Sequence, residues 1–161
     1  VLRPESLTVG ELVERAEARF GTQYPDRVLE VHEEEGLPTI RGDAVLLRRA
    51  LDNLIDNAQS YSEPATPIAI SVRREEHELC VSVRDRGIGI APADLPRVTE
   101  PFFRTDRSRA RRTGGLGLGL SLTRRIVEAH GGSLRVESLQ GVGTTVQLRL
   151  PIDPGASPLA S

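Results

Sequence analysis

The sequence predicts an α+β domain in which helices pack on one face of a largely antiparallel sheet. Apolar residues recur at helical spacing over residues 8–20 and 43–61, whereas apolar and polar residues alternate over 68–83 and 134–150. The helical and alternating segments fall in separate blocks, as is typical of α+β folds. The chain has 161 residues, of which 38% are hydrophobic. This is enough to bury the core of one domain.

Two long helices are predicted in the first half of the chain. The first covers residues 8–20, and Gly21 is expected to end it. The second is expected to begin after an Asp43 cap and to run to about Tyr61. Its apolar face is formed by residues three or four positions apart: Leu47, Ala50, Leu51, Leu54, Ala58 and Tyr61.

Three hairpins are predicted, over residues 28–41, 68–83 and 134–150. The first should turn at the acidic segment 33–36, and the last across the glycines of 140–143. Alternation in the second hairpin gives it one buried face.

The segment between the second and third hairpins is rich in glycine and arginine. Residues 104–115 contain no periodic apolar residues, and a stretch of this kind in a small domain is typically functional or disordered. A further helix is expected to follow the glycine run at 115–120 and to end at about Ala129. We expect residues 1–151 to form the domain, with 1–8 as the end of a linker and 152–161 as a flexible tail.

Composition excludes several functions. The formal charge is −2, so the chain lacks the overall basic field that holds nucleic acid. All 21 Lys and Arg residues are arginine, which excludes a lysine-dependent P-loop and a catalytic lysine. A single cysteine excludes an internal disulfide. No apolar run is long enough to span a membrane. Because methionine is absent even at position 1, we expect a fragment or a processed chain.

Asn53 and Asn57 lie four residues apart on the long helix and therefore share one side of it. Asparagine is unfavourable inside helices, but its amide oxygen can ligate Mg²⁺ and its amide nitrogen can donate to phosphate. Two solvated polar residues remain the alternative interpretation.

Asp85 ends the second predicted hairpin and is followed by Gly87 and Gly89. A carboxylate at the buried end of a strand accepts hydrogen bonds, so it suits the exocyclic amine of adenine and would repel the carbonyl oxygen of guanine. The glycines would allow a ligand to approach the backbone closely. An ordinary Asp-Gly turn is the alternative.

Two further glycine segments follow. The run 114–119 precedes the last predicted helix, where free backbone N–H groups and the helix dipole favour an anion. Its spacing fits neither a P-loop nor a dinucleotide-binding fingerprint, and a flexible hinge is the alternative. The segment 141–144 is a tight hairpin turn by its composition.

These motifs occur in a fixed order that strongly resembles the ATP-binding catalytic domain of sensor histidine kinases, in the wider family that includes gyrase, Hsp90 and MutL. The resemblance covers nearly the whole chain. It implies a two-layer α/β sandwich with a mixed five-stranded sheet under three helices. ATP would lie between the long helix over residues 43–61 and a mobile lid. The matching motifs are the N box (51–58), the G1 box (85–90), the F box (101–104), the G2 box (115–120) and the G3 region (141–144).

The resemblance assigns roles by position. Asp85 would bind the adenine amine, Asn57 would hold Mg²⁺, and Asn53 would help at the metal or the phosphates. Tyr61 would lie near the adenosine. The two glycines expected to shape the adenine pocket are Gly87 and Gly89.

The lid and the later motifs would contact the phosphates and the base. Arg104 and Arg109 would reach the phosphates from the lid and, together with Asn53 and Asn57, would serve the transfer chemistry. Thr144 would lie beside the base. Backbone contacts to phosphate are expected from the G2 residues Gly115, Gly117, Leu118 and Gly119.

Asn53 occupies the position where the ATP-hydrolysing relatives carry a glutamate that activates water, and an amide cannot act as a general base. The resemblance therefore favours phosphoryl transfer over hydrolysis. None of His32, His77 and His130 lies in a phosphoacceptor motif. The resemblance implies that the acceptor lies on a separate dimerisation hairpin and that a response regulator is the second partner. We expect a monomeric, cytoplasmic domain, and the resemblance is compatible with an inner-membrane anchor elsewhere in the full-length protein.

Two positions depart from the family pattern. Ser60 stands where many relatives have a lysine, and Leu116 stands where Thr or Ser is usual. These departures leave open a non-catalytic, nucleotide-responsive interaction module, and a gyrase- or Hsp90-like ATPase is a third alternative.

Overall fold

The computed structural model describes residues 2–98 and 116–153, with the backbone alone at 97 and 116–119. The three helices of these ranges are α1 (Val9–Gln23), α2 (Ala44–Tyr61) and α3 (Leu116–Ala129). A short 3-10 turn covers Leu95–Arg97. The strands are β1 (Glu5–Leu7), β2 (Leu29–Glu33), β3 (Ile40–Gly42), β4 (Ile68–Glu75), β5 (Glu78–Asp85), β6 (Ser133–Leu139) and β7 (Gly143–Pro151).

A five-stranded sheet in the order β2-β4-β5-β7-β6 forms one layer, and the helices form the other. The β4–β5, β5–β7 and β6–β7 pairs are antiparallel, and β2–β4 is parallel. Alternation along the strands turns Ile70, Val81 and Leu148 toward the helices, where all three are buried. The predicted α+β sandwich with a mixed sheet and the two later hairpins are thereby confirmed.

The predicted hairpin over residues 28–41 is wrong. β2 pairs in parallel with β4, with Leu29 opposite Ile68, whereas β3 pairs antiparallel with β1 in a separate two-stranded sheet. A parallel pair requires a long crossover, and α2 lies in the connection between β2 and β4. Residues 5–7, expected to belong to a linker, thus form a strand.

The helix limits follow the predicted signals only in part. Asp43 caps α2, because its carboxylate accepts hydrogen bonds from the backbone N–H groups of Val45 and Leu46, both at 3.1 Å. The first helix, in contrast, continues through Gly21 to Gln23. A side chain at Gly21 would meet no atom within 4 Å, so this glycine lies on the open side of α1 and no packing requires the helix to end there.

His130 fixes the end of α3 against the beginning of α2. Its Nε2 accepts a hydrogen bond from the backbone N–H of Asp43 at 3.0 Å, and its Nδ1 lies 2.7 Å from the carbonyl oxygen of Ile126. The ring nitrogen that accepts cannot carry a proton, so Nδ1 is the donor to Ile126. Two helices that border the same pocket are thereby joined at the end away from it.

The end of the described chain is still part of the fold. Ile152, expected to begin the tail, forms a bridge with Ile40, and the Asp153 N–H donates to the carbonyl oxygen of Thr39 at 3.0 Å. The rest of the predicted tail, 154–161, lies outside the described residues. None of the helices in the described ranges has the length and apolar character of a membrane span.

Candidate functional site

A pocket opens between α2, the end of β5 and the β6–β7 hairpin. It brings together Asn57 and Tyr61 from α2 with Asp85 from β5 and Thr144 from β7. The remaining wall is mostly apolar and consists of Leu54, Ala58, Val83, Ile88, Gly89, Ile90, Leu120 and Val146. A mostly apolar pocket with a few convergent polar groups is the usual form of a small-molecule site.

The helix α2 contributes an amide that lacks a partner. Asn57 Nδ2 is buried, and no atom of the described residues accepts a hydrogen bond from it. Burial of an unpaired donor is costly, so this N–H group would be stabilised by a ligand that offers a hydrogen-bond acceptor. Asn53 lies one turn earlier on the helix, half-buried and outside the pocket lining.

Asp85 is the charged residue of the pocket wall. It is 9% exposed, and its strand ends where the wall begins. Burial raises the pKa of Asp85 to about 7 from an ordinary 3.8, although a backbone hydrogen bond from Thr144 and the charge of Arg27 act in the opposite direction. Because this pKa lies near neutral pH, a ligand that donates a hydrogen bond to the carboxylate would favour its ionised form.

Two glycines allow the loop after Asp85 to pack against neighbouring backbone. A Cβ at Gly87 would lie 2.2 Å from the carbonyl oxygen of Tyr61. A Cβ at Gly89 would lie 2.3 Å from that of Leu139, and Gly89 has a φ of +67°, which L side chains rarely adopt. Gly89 lines the pocket, whereas Gly87 lies behind it, bridged to Ser62.

Ser138 organises the opposite wall, and our sequence analysis missed it. Its hydroxyl accepts a hydrogen bond from the Ile90 N–H at 2.8 Å and lies 2.9 Å from Thr144 Oγ1. The signal was present in the sequence, because Ser138 continues the inward positions of Leu134 and Val136 and is polar where the pattern calls for an apolar residue.

Only some of the residues predicted to bind phosphate are among those that the structure describes. The glycine run was expected to precede the last helix. α3 instead begins at Leu116, so Gly117, Leu118 and Gly119 lie in its first turn. N–H groups of a first turn have no partner within their helix and remain available to an anion. The predicted contacts at Arg104, Arg109 and Gly115, with the rest of the lid and the F box, lie outside the described residues.

Comparison with known proteins identifies the family of the chain that forms this pocket. Residues 42–154 match the family model of histidine kinase-, DNA gyrase B- and HSP90-like ATPases. The chain belongs to this family. The sensor-like histidine kinase SenX3 of Mycobacterium tuberculosis is 47% identical over 112 residues, which cover 70% of this chain and 27% of that protein. The chain thus spans about a quarter of the length of this curated relative.

Solved structures of family members share the fold. The mycobacterial sensor histidine kinase MprB superposes with a TM-score of 0.79 at 30% identity, covering 96% of this chain and 99% of that one. Full-length ShkA in complex with AMPPNP gives a TM-score of 0.81 at 26% identity, covering 98% of this chain and 33% of that one. The ATPase family and its histidine kinase relatives, predicted from five motifs, are confirmed.

Gly87→Ala is expected to destabilise the domain and disrupt the pocket. The added Cβ would collide with the backbone of Tyr61 and Ser62, which cannot move as a flexible side chain does. We expect a loss of about 1–3 kcal/mol in the free energy of unfolding, measured by urea titration. The matched control is Gly21→Ala, in open space on α1, which should leave stability equal or slightly higher. Equal effects of the two substitutions would contradict the packing argument.

Asp85→Asn is expected to stabilise the unliganded domain at pH 8. Because the folded pKa of Asp85 is raised to about 7 from 3.8, the folded state binds this proton more tightly, and stability falls as the pH rises between these values. Asparagine does not titrate, so this loss is absent from the variant. Its free energy of unfolding should exceed that of the native domain by about 1–4 kcal/mol at pH 8 and by much less at pH 5. Urea unfolding at both pH values measures it, and a gain independent of pH would refute the assignment.

Proposed function

We propose that this chain is the ATP-binding catalytic domain of a sensor histidine kinase, which holds Mg²⁺-ATP for transfer of the γ-phosphoryl group to a histidine on another domain. The observation that carries the proposal is the buried Asp85 carboxylate, which shares one pocket with Asn57, whose buried amide nitrogen has no acceptor among the described residues. Both groups fall in motifs whose order resembles that of the kinases. The named relatives and structure neighbours of the chain support the same reading.

Asp85 would select the base. An ionised carboxylate can only accept hydrogen bonds, so it stabilises the exocyclic amine of adenine and opposes the carbonyl oxygen that guanine presents there. A charge-assisted hydrogen bond contributes about 1.5–3 kcal/mol, or roughly ten- to 150-fold in affinity. Tyr61 and Thr144 would border the nucleoside, because they line the same pocket.

Asn57, with Asn53 one turn away, would hold the metal. No group of three histidine, cysteine or acidic side chains within residues 2–98 and 116–153 could ligate one. Amide oxygens and the triphosphate itself are suitable Mg²⁺ ligands, so Asn57 would offer its Oδ1 to the metal. Its buried Nδ2, which has no acceptor among the described residues, would donate to a phosphate oxygen. When bound, Mg²⁺ would neutralise charge on the phosphates.

Transfer is favoured over hydrolysis because of Asn53. The hydrolysing branches of the family carry a glutamate general base at this position, and an amide cannot take a proton from water. Phosphoryl transfer requires mainly positioning and charge neutralisation, which the metal, the first turn of α3 and the arginines Arg104 and Arg109 would supply. The arginine roles, and those of the G2 glycines, rest on the motif resemblance.

The acceptor histidine would lie on a separate dimerisation hairpin. His32, His77 and His130 are outside the pocket lining, and His130 is engaged at both ring nitrogens. We therefore propose two partners for the full-length protein, the hairpin and a cognate response regulator. We also propose a cytoplasmic location for this domain and no stable dimer in isolation.

Nucleotide titration tests the first half of the proposal. At pH 8, where Asp85 is largely ionised, ATP and ADP are expected to bind at least about tenfold more tightly than GTP, because only adenine offers an amine to the carboxylate. Isothermal titration calorimetry with and without Mg²⁺ measures the difference. Equal affinity for ATP and GTP, or no binding of either, would overturn the proposal.

An Asn57→Ala control separates the metal from the base. This variant should lose the Mg²⁺-dependent part of ATP affinity, about tenfold or more, and keep its preference for adenine. Gln59→Ala is the matched control, since Gln59 lies on α2 outside the pocket lining.

Phosphoryl transfer tests the second half. The domain, supplied with γ-labelled ATP and the histidine-bearing hairpin of its own full-length protein, is expected to label the hairpin, while Asn57→Ala should not. Gel autoradiography measures the label. ATP binding without transfer would instead support the interaction module, and steady phosphate release by the domain alone would support an ATPase.

A further inference from the structure

Arg27, in the connection between α1 and β2, reaches behind the wall of the nucleotide pocket. Its Nε donates to the carbonyl oxygen of Thr66 at 3.0 Å, and its Nη2 donates to Ser62 Oγ. These acceptors are 39 and 35 residues away along the chain, so the contacts are tertiary. A guanidinium with two donors on one loop fixes that loop more firmly than a single bond could.

The loop that Arg27 holds is attached to the strand end that carries Asp85. Ser62 forms an isolated bridge with Gly87, and the Glu63 N–H donates to the carbonyl oxygen of Arg86 at 3.0 Å. Thr66 Oγ1 lies 3.3 Å from the same Arg86 oxygen. The loop over residues 62–66 thus connects the guanidinium to the G1 segment by hydrogen bonds on both sides.

The third nitrogen of the Arg27 guanidinium, Nη1, is buried without a hydrogen-bond acceptor among the described residues. Burial lowers the pKa of Arg27, and the negative charge of Asp85 opposes that effect. Arg27 as a whole is half-buried, but its Nη1 loses hydration that no ion pair within the described residues replaces. The buried carboxylate of Asp85, on the segment that packs against the same loop, is therefore its natural counter-charge.

We propose that Arg27 is a positioning residue of the base-selecting site: it fixes the loop against which the Asp85 strand end packs and balances the negative charge of that carboxylate. The proposal deepens the proposed function and rests on it, since it presumes that Asp85 binds the base. Arg27 does not line the pocket, so it would act through Asp85 and not on the nucleotide.

Asp85 is surrounded by ionisable and polar groups from α2, β6, β7 and its own strand. From α2 it faces Tyr61 and the neutral amide of Asn57, and from β7 the backbone and hydroxyl of Thr144. On its own strand, the adjacent Arg84 lies on the opposite face of the sheet. A second cavity at the strand end places Asp85 beside Arg84 and Arg86 of its own segment and Glu137 of β6, and all three are exposed. Arg27 is the cation whose charge lowers the pKa of Asp85.

The test compares three variants in the nucleotide-free domain. Arg27→Gln removes the charge, and Arg27→Lys keeps it without the planar guanidinium. Ser62→Ala leaves the charge and removes the hydrogen bonds of Ser62 Oγ with Arg27 Nη2 and with the carbonyl oxygen of Ala58. The carboxyl carbon resonance of Asp85, followed by NMR from pH 5 to 9, reports its ionisation directly. We expect the midpoint to rise in Arg27→Gln and to stay close to that of the native domain in Arg27→Lys and Ser62→Ala.

ADP titrations then test the consequence for binding. Arg27→Gln should bind ADP about three- to tenfold more weakly than the native domain at pH 7, and the difference should close at pH 9, where the carboxylate is ionised in both. A loss of the same factor at every pH, with an unmoved Asp85 midpoint, would show that Arg27 only supports the loop and would overturn the charge-balancing role.

The outcomes keep this proposal separate from the proposed function. If the native domain fails to bind ADP, the proposed function is wrong, but the carboxyl titration still decides whether Arg27 governs Asp85. If Arg27→Gln does not fold, Arg27→Met removes the charge with a side chain of similar length, and an Asp85 midpoint that stays at the native value in this variant would contradict the charge-balancing role.

Discussion

The burial of one carboxylate constrains the rest of this structure. Asp85 stands at the end of β5 with 9% of its surface exposed, where burial raises its pKa to about 7. A buried acid is tolerated only where neighbouring groups offset the loss of hydration. The backbone of Thr144 and the charge of Arg27 do so here. The acceptor that Asp85 presents to the pocket is thus retained at the expense of local stability.

The pocket is assembled from segments that approach each other through backbone and not through large side chains. The end of α2 meets the loop after β5 at Gly87, and the β6–β7 turn meets the same loop at Gly89. Ser138 then joins that loop to Thr144 by its hydroxyl group. Such contacts leave little room for adjustment, so the apolar wall and the polar groups keep their relative positions before any ligand binds.

Sequence patterns predicted the parts of this fold that depend on near neighbours. The Asp43 cap, the apolar face of α2 and the alternation of β4 to β7 all follow from residues a few positions apart. The pairing of β2 could not be predicted in the same way, because its parallel partner lies beyond an entire helix. Arg27 gave no signal either, since the residues that bury and bind it are distant in sequence. For the site, the motifs located Asn57 and Asp85, but not the Ser138 support.

The antiparallel pairing of β5 with β7 has an evolutionary consequence. Asp85 faces Thr144 as the last pair of a ladder in which Leu79, opposite Leu150, has the same inward orientation. Side chains on a strand change sides at every residue, so the number of positions between Leu79 and Asp85 must keep its parity. Loss of one residue there would turn the acid toward the uncovered side of the sheet, whereas loss of two would only shorten the strand. Length variation among descendants of this domain should therefore accumulate in its turns and spare β5.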